Sequence, residues 1–345
     1  MKYTIILFIF ILASCQKKEA NPETAAHIPS RVDSLATAED VSAYLRLADT
    51  NFNGFRLKPM KNFRFANDDR KEYERLIRTL ANDLNVDKSF YKADFDNNGY
   101  TDMVVTGDFY HDKADPKAFG TAEVYVVLNS GKLHARICRL NHPYFSEVLV
   151  PEIETKGSET LIRLHTVARK KSKVKADTMS TLLTGRFGYF AEYNAAPPVH
   201  TIEKIQYDAE PCHGKCPTFE ITINSDRSAW FIAQSFNFSG IRRGIDDIEG
   251  VYKTTLSQAD YDRITAFINY LDFPSLEDNY SFPQFHLPGA KLIITYDGGK
   301  TKTISDYGRI GTYGLRGLYK MMEDLRFNQN WGKTEEPEGL RISQY

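Results

Sequence analysis

The residues best suited to chemistry form one short run, Asp94-Phe95-Asp96-Asn97-Asn98-Gly99-Tyr100-Thr101-Asp102. It sets side-chain oxygens at positions 1, 3, 5 and 9 and a glycine at position 6. Calcium needs several hard oxygens converging on one point, a backbone carbonyl at position 7 and a glycine for the sharp turn. In that reading Asp94, Asp96, Asn98 and Asp102 give side chains and Tyr100 gives its carbonyl. Val105 occupies position 12, so the bidentate glutamate of a twelve-residue loop is missing. The competing reading is a loop whose Asp and Asn side chains cap their own backbone. The choice is between a weak structural calcium site and a self-capped turn.

Cys212 and Cys216 enclose His213-Gly214-Lys215 and are followed by Pro217. In an oxidising compartment such a pair closes a small disulfide loop, a gain of about 2 kcal/mol for a loop this short. Thiol or copper redox chemistry competes, with His213 or His286 as a third ligand. The spacing from Cys212 to Pro217 is similar to the copper motif of thioredoxin-fold assembly factors. That family continues into a helix, whereas Thr218 to Ile223 alternates like a strand. Cys138 has no evident partner and reads as a small buried hydrophobe. His111, His134, His142, His165 and His200 lack metal-ligand spacing. There is no G-x-S-x-G elbow, phosphate-cradling loop or dinucleotide fingerprint. The adjacent carboxylates Asp246 and Asp247 read as solvated.

The elements that must position these groups show in the hydrophobic pattern. Thr37 and Asp40 form a capping box ahead of Val41, Tyr44, Leu45 and Ala48. A second helix is expected from Asp68 to Asn85, with Tyr73, Leu76, Ile77, Leu80 and Leu84 on one face. Strands are expected at 103–109, 122–128, 133–139, 160–167 and 178–193. Further on, 202–207, 218–223 and 228–236 read as strands. Ser257 opens a helix that Pro274 stops, and Asp297-Gly298-Gly299 joins a hairpin. Leu315, Leu318, Met322 and Leu325 mark a last helix. The expected fold is α+β in two domains, 35–196 and 200–332, each a mainly antiparallel sheet with packed helices. Ala195-Ala196-Pro197-Pro198 reads as the linker, and 333–345 as a tail.

Composition sets limits. The chain has 345 residues, 42% of them hydrophobic, enough for real cores. Lys and Arg number 44 against 45 Asp and Glu, so no net field draws in nucleic acid. The basic run Arg169 to Lys175 reads as a solvated hairpin tip or a contact for anionic lipid or polysaccharide. The aromatic stretch Trp230 to Phe238 reads as a core strand or as the lining of a sugar or protein site.

The N-terminus gives an address. Lys2 precedes an apolar run from Thr4 to Leu12, too short to span a bilayer and typical of a secretory signal. Leu12-Ala13-Ser14-Cys15 resembles the lipobox of bacterial lipoproteins. The resemblance implies cleavage after residue 14, diacylglycerol and palmitate on Cys15, and anchoring by two or three acyl chains, where one holds only marginally. Residues 15–34 hold few large apolar groups and read as a flexible tether. Gln16, in place of the aspartate that retains lipoproteins on the inner membrane, implies the outer membrane.

The second domain resembles a family found in lipoproteins of Bacteroidetes-type bacteria. The likeness rests on the C-x-G-x-C-P motif within Cys212 to Phe219, on Tyr296-Asp297-Gly298-Gly299-Lys300 and on Asp306-Tyr307-Gly308. It implies no activity. The expected function is a non-enzymatic envelope binding or interaction module, with the membrane and an envelope protein or glycan as partners and no cofactor beyond structural calcium. The alternative is an envelope hydrolase or thiol/copper redox protein whose site is dispersed in sequence.

Overall fold

The computed structural model describes residues 26–66, 71–131, 135–142, 144, 147–169, 176–238 and 247–335. The signal segment, Cys15, His134, Lys170 to Lys175, Asp246 and most of the tail lie outside the described residues. The fold is α+β with mostly antiparallel sheets.

In the first region, β1 (Arg56–Leu57), β2 (Phe90–Ala93), β3 (Asp102–Asp108), β4 (Glu123–Leu128) and β5 (Arg136–Arg139) form one sheet. Both β1 and β2 pair with one edge of β3. A second sheet is a meander of β6 (Glu147–Lys156), β7 (Glu159–Arg169), β8 (Ala176–Arg186) and β9 (Tyr189–Glu192). All seven residues of β3 are buried because both faces of its sheet are covered. Met103 and Val105 pack towards α1 (Ala38–Ala48), while Val104 packs against Leu149, Ile162 and Leu183 of the meander. This is the side-chain alternation of a pleated strand. The helix α2 (Lys71–Asp83) buries Tyr73 and Ile77 against Val148, Val150 and Val167.

The second region has a sheet of eight strands. They are β10 (Ile202–Ala209), β11 (Thr218–Asn224), β12 (Ser228–Ser235), β13 (Gly250–Thr255), β14 (Asn279–Ser281), β15 (Gly289–Tyr296), β16 (Lys300–Tyr307) and β17 (Gly332–Thr334). Their spatial order is β14-β16-β15-β10-β11-β12-β13-β17, and β14 alone pairs in parallel. The helices α3 (Gln258–Tyr270) and α4 (Tyr313–Asn328) share its core.

Local signals explain the well-formed ends. Thr37 Oγ1 accepts from Asp40 N at 3.1 Å, and the Asp40 carboxylate accepts from Thr37 N at 2.9 Å. Ser257 caps α3 with its side chain alone, accepting from Asp260 N at 3.1 Å. Asp297, Gly298 and Gly299 all take positive φ, which suits a turn built from Asp-Gly-Gly.

Several expectations need correction. The part of the expected tether, 15–34, that lies among the described residues packs on the fold. Ile28 N donates to Gly99 O at 2.7 Å, Val32 and Leu35 are buried, and Lys92 Nζ holds the carbonyls of Asp33 and Leu35 at 2.9 Å each. The single strand expected over 178–193 is a hairpin, because Phe187 and Gly188 take positive φ and turn the chain. The helix α3 stops before Pro274, at Asp272 in the left-handed region.

The two regions meet closely. Tyr189 and Ala191 of β9 belong to the second region's core. A Cβ on Gly317 would lie 2.9 Å from the Tyr189 Cβ, so this glycine lets α4 approach β9. The Glu192 carboxylate accepts from Tyr313 N at 2.7 Å and Gly314 N at 3.1 Å, which caps α4 from the other region.

Candidate functional site

The loop between β2 and β3 brings its acids together. Ligand oxygens of Asp94, Asp96 and Asp102 all lie within 4.8 Å of one another. Among the described residues this is the one such group of three or more acidic, His or Cys side chains. Burial, then the Asp94 charge, raises the Asp96 carboxyl to about 6. Burial likewise raises Asp102 to about 8, against the hydrogen bond from Asn129 N. The carboxylates also serve the loop itself. Asp94 accepts from Asn98 N at 3.2 Å and Gly99 N at 2.8 Å, and Asp102 from Phe95 N at 2.9 Å and Asn129 N at 2.7 Å. Asn98 Oδ1 accepts from Tyr100 N at 2.7 Å, and its amide nitrogen donates to Asn129 O at 2.8 Å. In this loop, then, the acids converge and the side chains also cap their own backbone.

The sulfurs of Cys212 and Cys216 lie at disulfide distance, with Cα atoms 5.6 Å apart. The rings of His213 and His286 approach to 4.4 Å between centroids beside this loop, and both residues are exposed. The chain continues into the strand β11 and not into a helix. Phe231, Ile232 and Ala233 of the aromatic stretch are buried, which makes β12 a core strand.

A third feature was not foreseen from the sequence. A cleft of about 670 Å³ opens between β5, β9, α4 and the turn at Gly308 and Arg309. Five cations line it, Arg136, Arg139, Arg309, Arg316 and Lys320, against the carboxylates Glu323 and Asp324. The Arg139 guanidinium binds Glu123 in a fork at 2.5 and 2.7 Å. Asp324 takes Arg136 at 3.1 Å, Lys320 at 2.8 Å and the Tyr189 hydroxyl at 3.0 Å. Arg309 Nη1 donates to Glu323. Arg316 sits 4.4 Å from the Tyr313 ring centroid and donates to Leu140 O at 3.2 Å. Burial lowers its pKa. Cys138, half-buried on the wall, has a thiol pushed up to about 11 by burial.

His142 stands beside the cleft and joins the two regions. Its Nδ1 accepts from Tyr144 N at 3.2 Å, which leaves Nε2–H to donate to Arg309 O at 3.3 Å. Burial lowers its pKa to about 4, so the ring is neutral. The residues of this cleft run from Arg136 to Asp324 in sequence. No local spacing announces them; the available signal was the Arg and Tyr content of the last helix.

These features define an α+β protein with a basic, aromatic cleft where two sheet-built regions meet. Residues 203–326, within the second region, match the model of a domain of unknown function, DUF6438. No curated protein and no solved structure matches the chain. No helix among the described residues is long and apolar enough to cross a membrane.

Proposed function

We propose that the chain is a lipid-anchored protein of the bacterial cell envelope, placed at the outer membrane by acyl chains on Cys15, and that it binds a ligand without chemical turnover. The cleft is the binding surface. The observation that carries this is its lining: ring faces and guanidinium groups, with the Glu323 and Asp324 carboxylates held in ion pairs and no activated nucleophile among the described residues. The Cys138 thiol stays protonated at neutral pH. His142, beside the cleft, has both ring nitrogens engaged, Nδ1 locally by Tyr144 N and Nε2 across the junction by Arg309 O. A volume near 670 Å³ suits a drug-sized ligand.

Hydrogen exchange on the full protein, with and without concentrated envelope extract, tests the cleft. Amides of 136–142 and 308–317 should slow; unchanged exchange there removes the cleft from the reading. The anchor has its own test. Wild-type protein should fractionate with membranes and take up palmitate, and Cys15→Ala should do neither. A Cys15→Ala protein that behaves like wild type ends the lipid argument.

The same reading gives the Asp94–Asp102 loop a structural calcium ion. The convergence of three carboxylates supports it, since a divalent cation relieves their repulsion. Calorimetry should record saturable heat at millimolar calcium, lost in Asp96→Asn. Absence of heat together with an unmoved melting temperature would leave the loop as a self-capped turn.

A further inference from the structure

The acids of the cleft are committed, and one of its cations is not. Glu323 is held by Arg309, Asp324 is shared by Arg136 and Lys320, and Arg139 is neutralised by Glu123. Arg316 has no carboxylate within 4.0 Å among the described residues. Its one hydrogen bond to protein goes to Leu140 O, and its guanidinium lies over Tyr313. The Glu147 and Glu192 carboxylates attract it from farther off, yet burial still lowers its pKa, since a guanidinium taken out of water without a close counter-charge is costly. The fold nonetheless holds this one in the wall of the cleft.

A second observation is independent of charge. Tyr319 lines the same cleft at 2% exposure, and its hydroxyl makes no well-formed hydrogen bond, although the Asp306 carboxylate is near enough to raise its pKa. Arg309 Nη2, on the same wall, is also buried without a partner. Buried polar groups are almost always satisfied. Two such atoms on the wall that also carries a cation without an ion pair among the described residues mark a place where acceptor oxygens belong. The rest of the wall is apolar or aromatic, with Ile137, Leu140, Phe190 and Pro288 among its residues.

We propose that the cleft binds a soluble small molecule with one oxyanionic head, a carboxylate or phosphate, and a flat apolar body. The head pairs with Arg316 and takes donors from Tyr319 and Arg309; the body rests on the rings. A single unpaired guanidinium fits one anionic head and not a polyanion. The inference rests on the binding reading given above and names the class of ligand.

The test is calorimetry on the full-length protein in neutral detergent, with phenyl phosphate, inorganic phosphate and phenol as probes. Phenyl phosphate should bind at one site, with phosphate weaker and phenol weakest. Arg316→Gln should weaken phenyl phosphate by about tenfold or more, the scale of a lost charge-assisted hydrogen bond, and Arg316→Lys should restore part of it. Tyr319→Phe keeps the core shape and removes only the hydroxyl. It should weaken binding a few-fold while leaving the melting temperature of the free protein equal or higher, because an unsatisfied hydroxyl has gone. Phenol binding as tightly as phenyl phosphate would overturn the anionic head. So would an Arg316→Gln affinity within twofold of wild type, or no heat from any probe at millimolar concentration. Protection of 136–142 by envelope extract would survive each of those results, so the ligand class can fail while the cleft stands. Co-sedimentation with phosphatidylglycerol vesicles that is lost in Arg316→Gln would move the head onto a lipid and overturn the soluble ligand.

Discussion

The first region spreads its buried apolar side chains over three clusters, whereas the second gathers its own into one. The charges inside follow the same division. Lys58, Asp102, Asp108, Glu123 and Glu159 are buried in the first region, against Asp306 and Arg326 in the second. A single sheet with helices sharing one core is specified largely by its apolar pattern. Two sheets and two helices with separate small interfaces have more ways to pack wrongly. Pairs such as Lys58–Asp108 tie distant chain segments in a way that greasy contact does not. Lys58 Nζ donates to Asp108 at 2.6 Å, to Tyr110 O at 2.9 Å and to Ala118 O, while Asp108 also accepts from Gly120 N at 2.6 Å.

The sharpest way to break this contrast is Asp108→Ala. It leaves the Lys58 ammonium buried without its counter-ion and should cost about 3–5 kcal/mol. Urea unfolding followed by hydrogen exchange should place the loss in β3 and its neighbours, with the second region's amides largely unmoved. Lys58→Met combined with Asp108→Ala should recover much of it. A loss under about 1 kcal/mol would mean the pin contributes little. Reduction of the Cys212–Cys216 pair should act on the other side of the contrast. A loop this short gives about 2 kcal/mol, and the change should be read in β10 and β11. Equal melting temperatures with and without reductant would show that the pair adds no stability.

A pH-dependent effect should appear at the junction itself. His142 has a folded pKa of about 4, below its ordinary 6.5. The unfolded chain therefore binds a proton that the folded chain refuses between those values. Stability from this group is complete above about pH 6.5, falls as pH drops towards 4 and levels off below it. His142→Gln should flatten that slope, as measured by denaturation midpoints across the range. An unchanged slope would shift the pH dependence to other groups.

Local chemistry made much of the fold legible. The box at Thr37/Asp40, the Ser257 cap, the Asp297-Gly298-Gly299 turn and the strand over 218–223 depend on neighbours in sequence, and each lies where expected, although Asp260 completes no box with Ser257 and Thr218 and Thr222 are buried. The strands β1, β2, β6, β13, β14 and β17 were not foreseen. Four of them are four residues or fewer, and β17 is an edge strand with every residue exposed. In β6, Pro151 interrupts the apolar run. The acidic loop could be read because its residues are consecutive. The cleft could not, because its cations come from β5, the 308–309 turn and α4, and only the folded chain says which of them lacks a counter-ion.

The final hairpin of the first region has a consequence for any attempt to transplant the second. The stretch matched to DUF6438 starts at 203, yet Tyr189 and Ala191 fill part of that unit's interior. A graft cut at the proline pair would carry a helix whose Gly314 and Gly317 have lost the strand they were shaped for. The unit of recombination that keeps its interior whole begins near Phe187, inside what sequence likeness assigns to its neighbour.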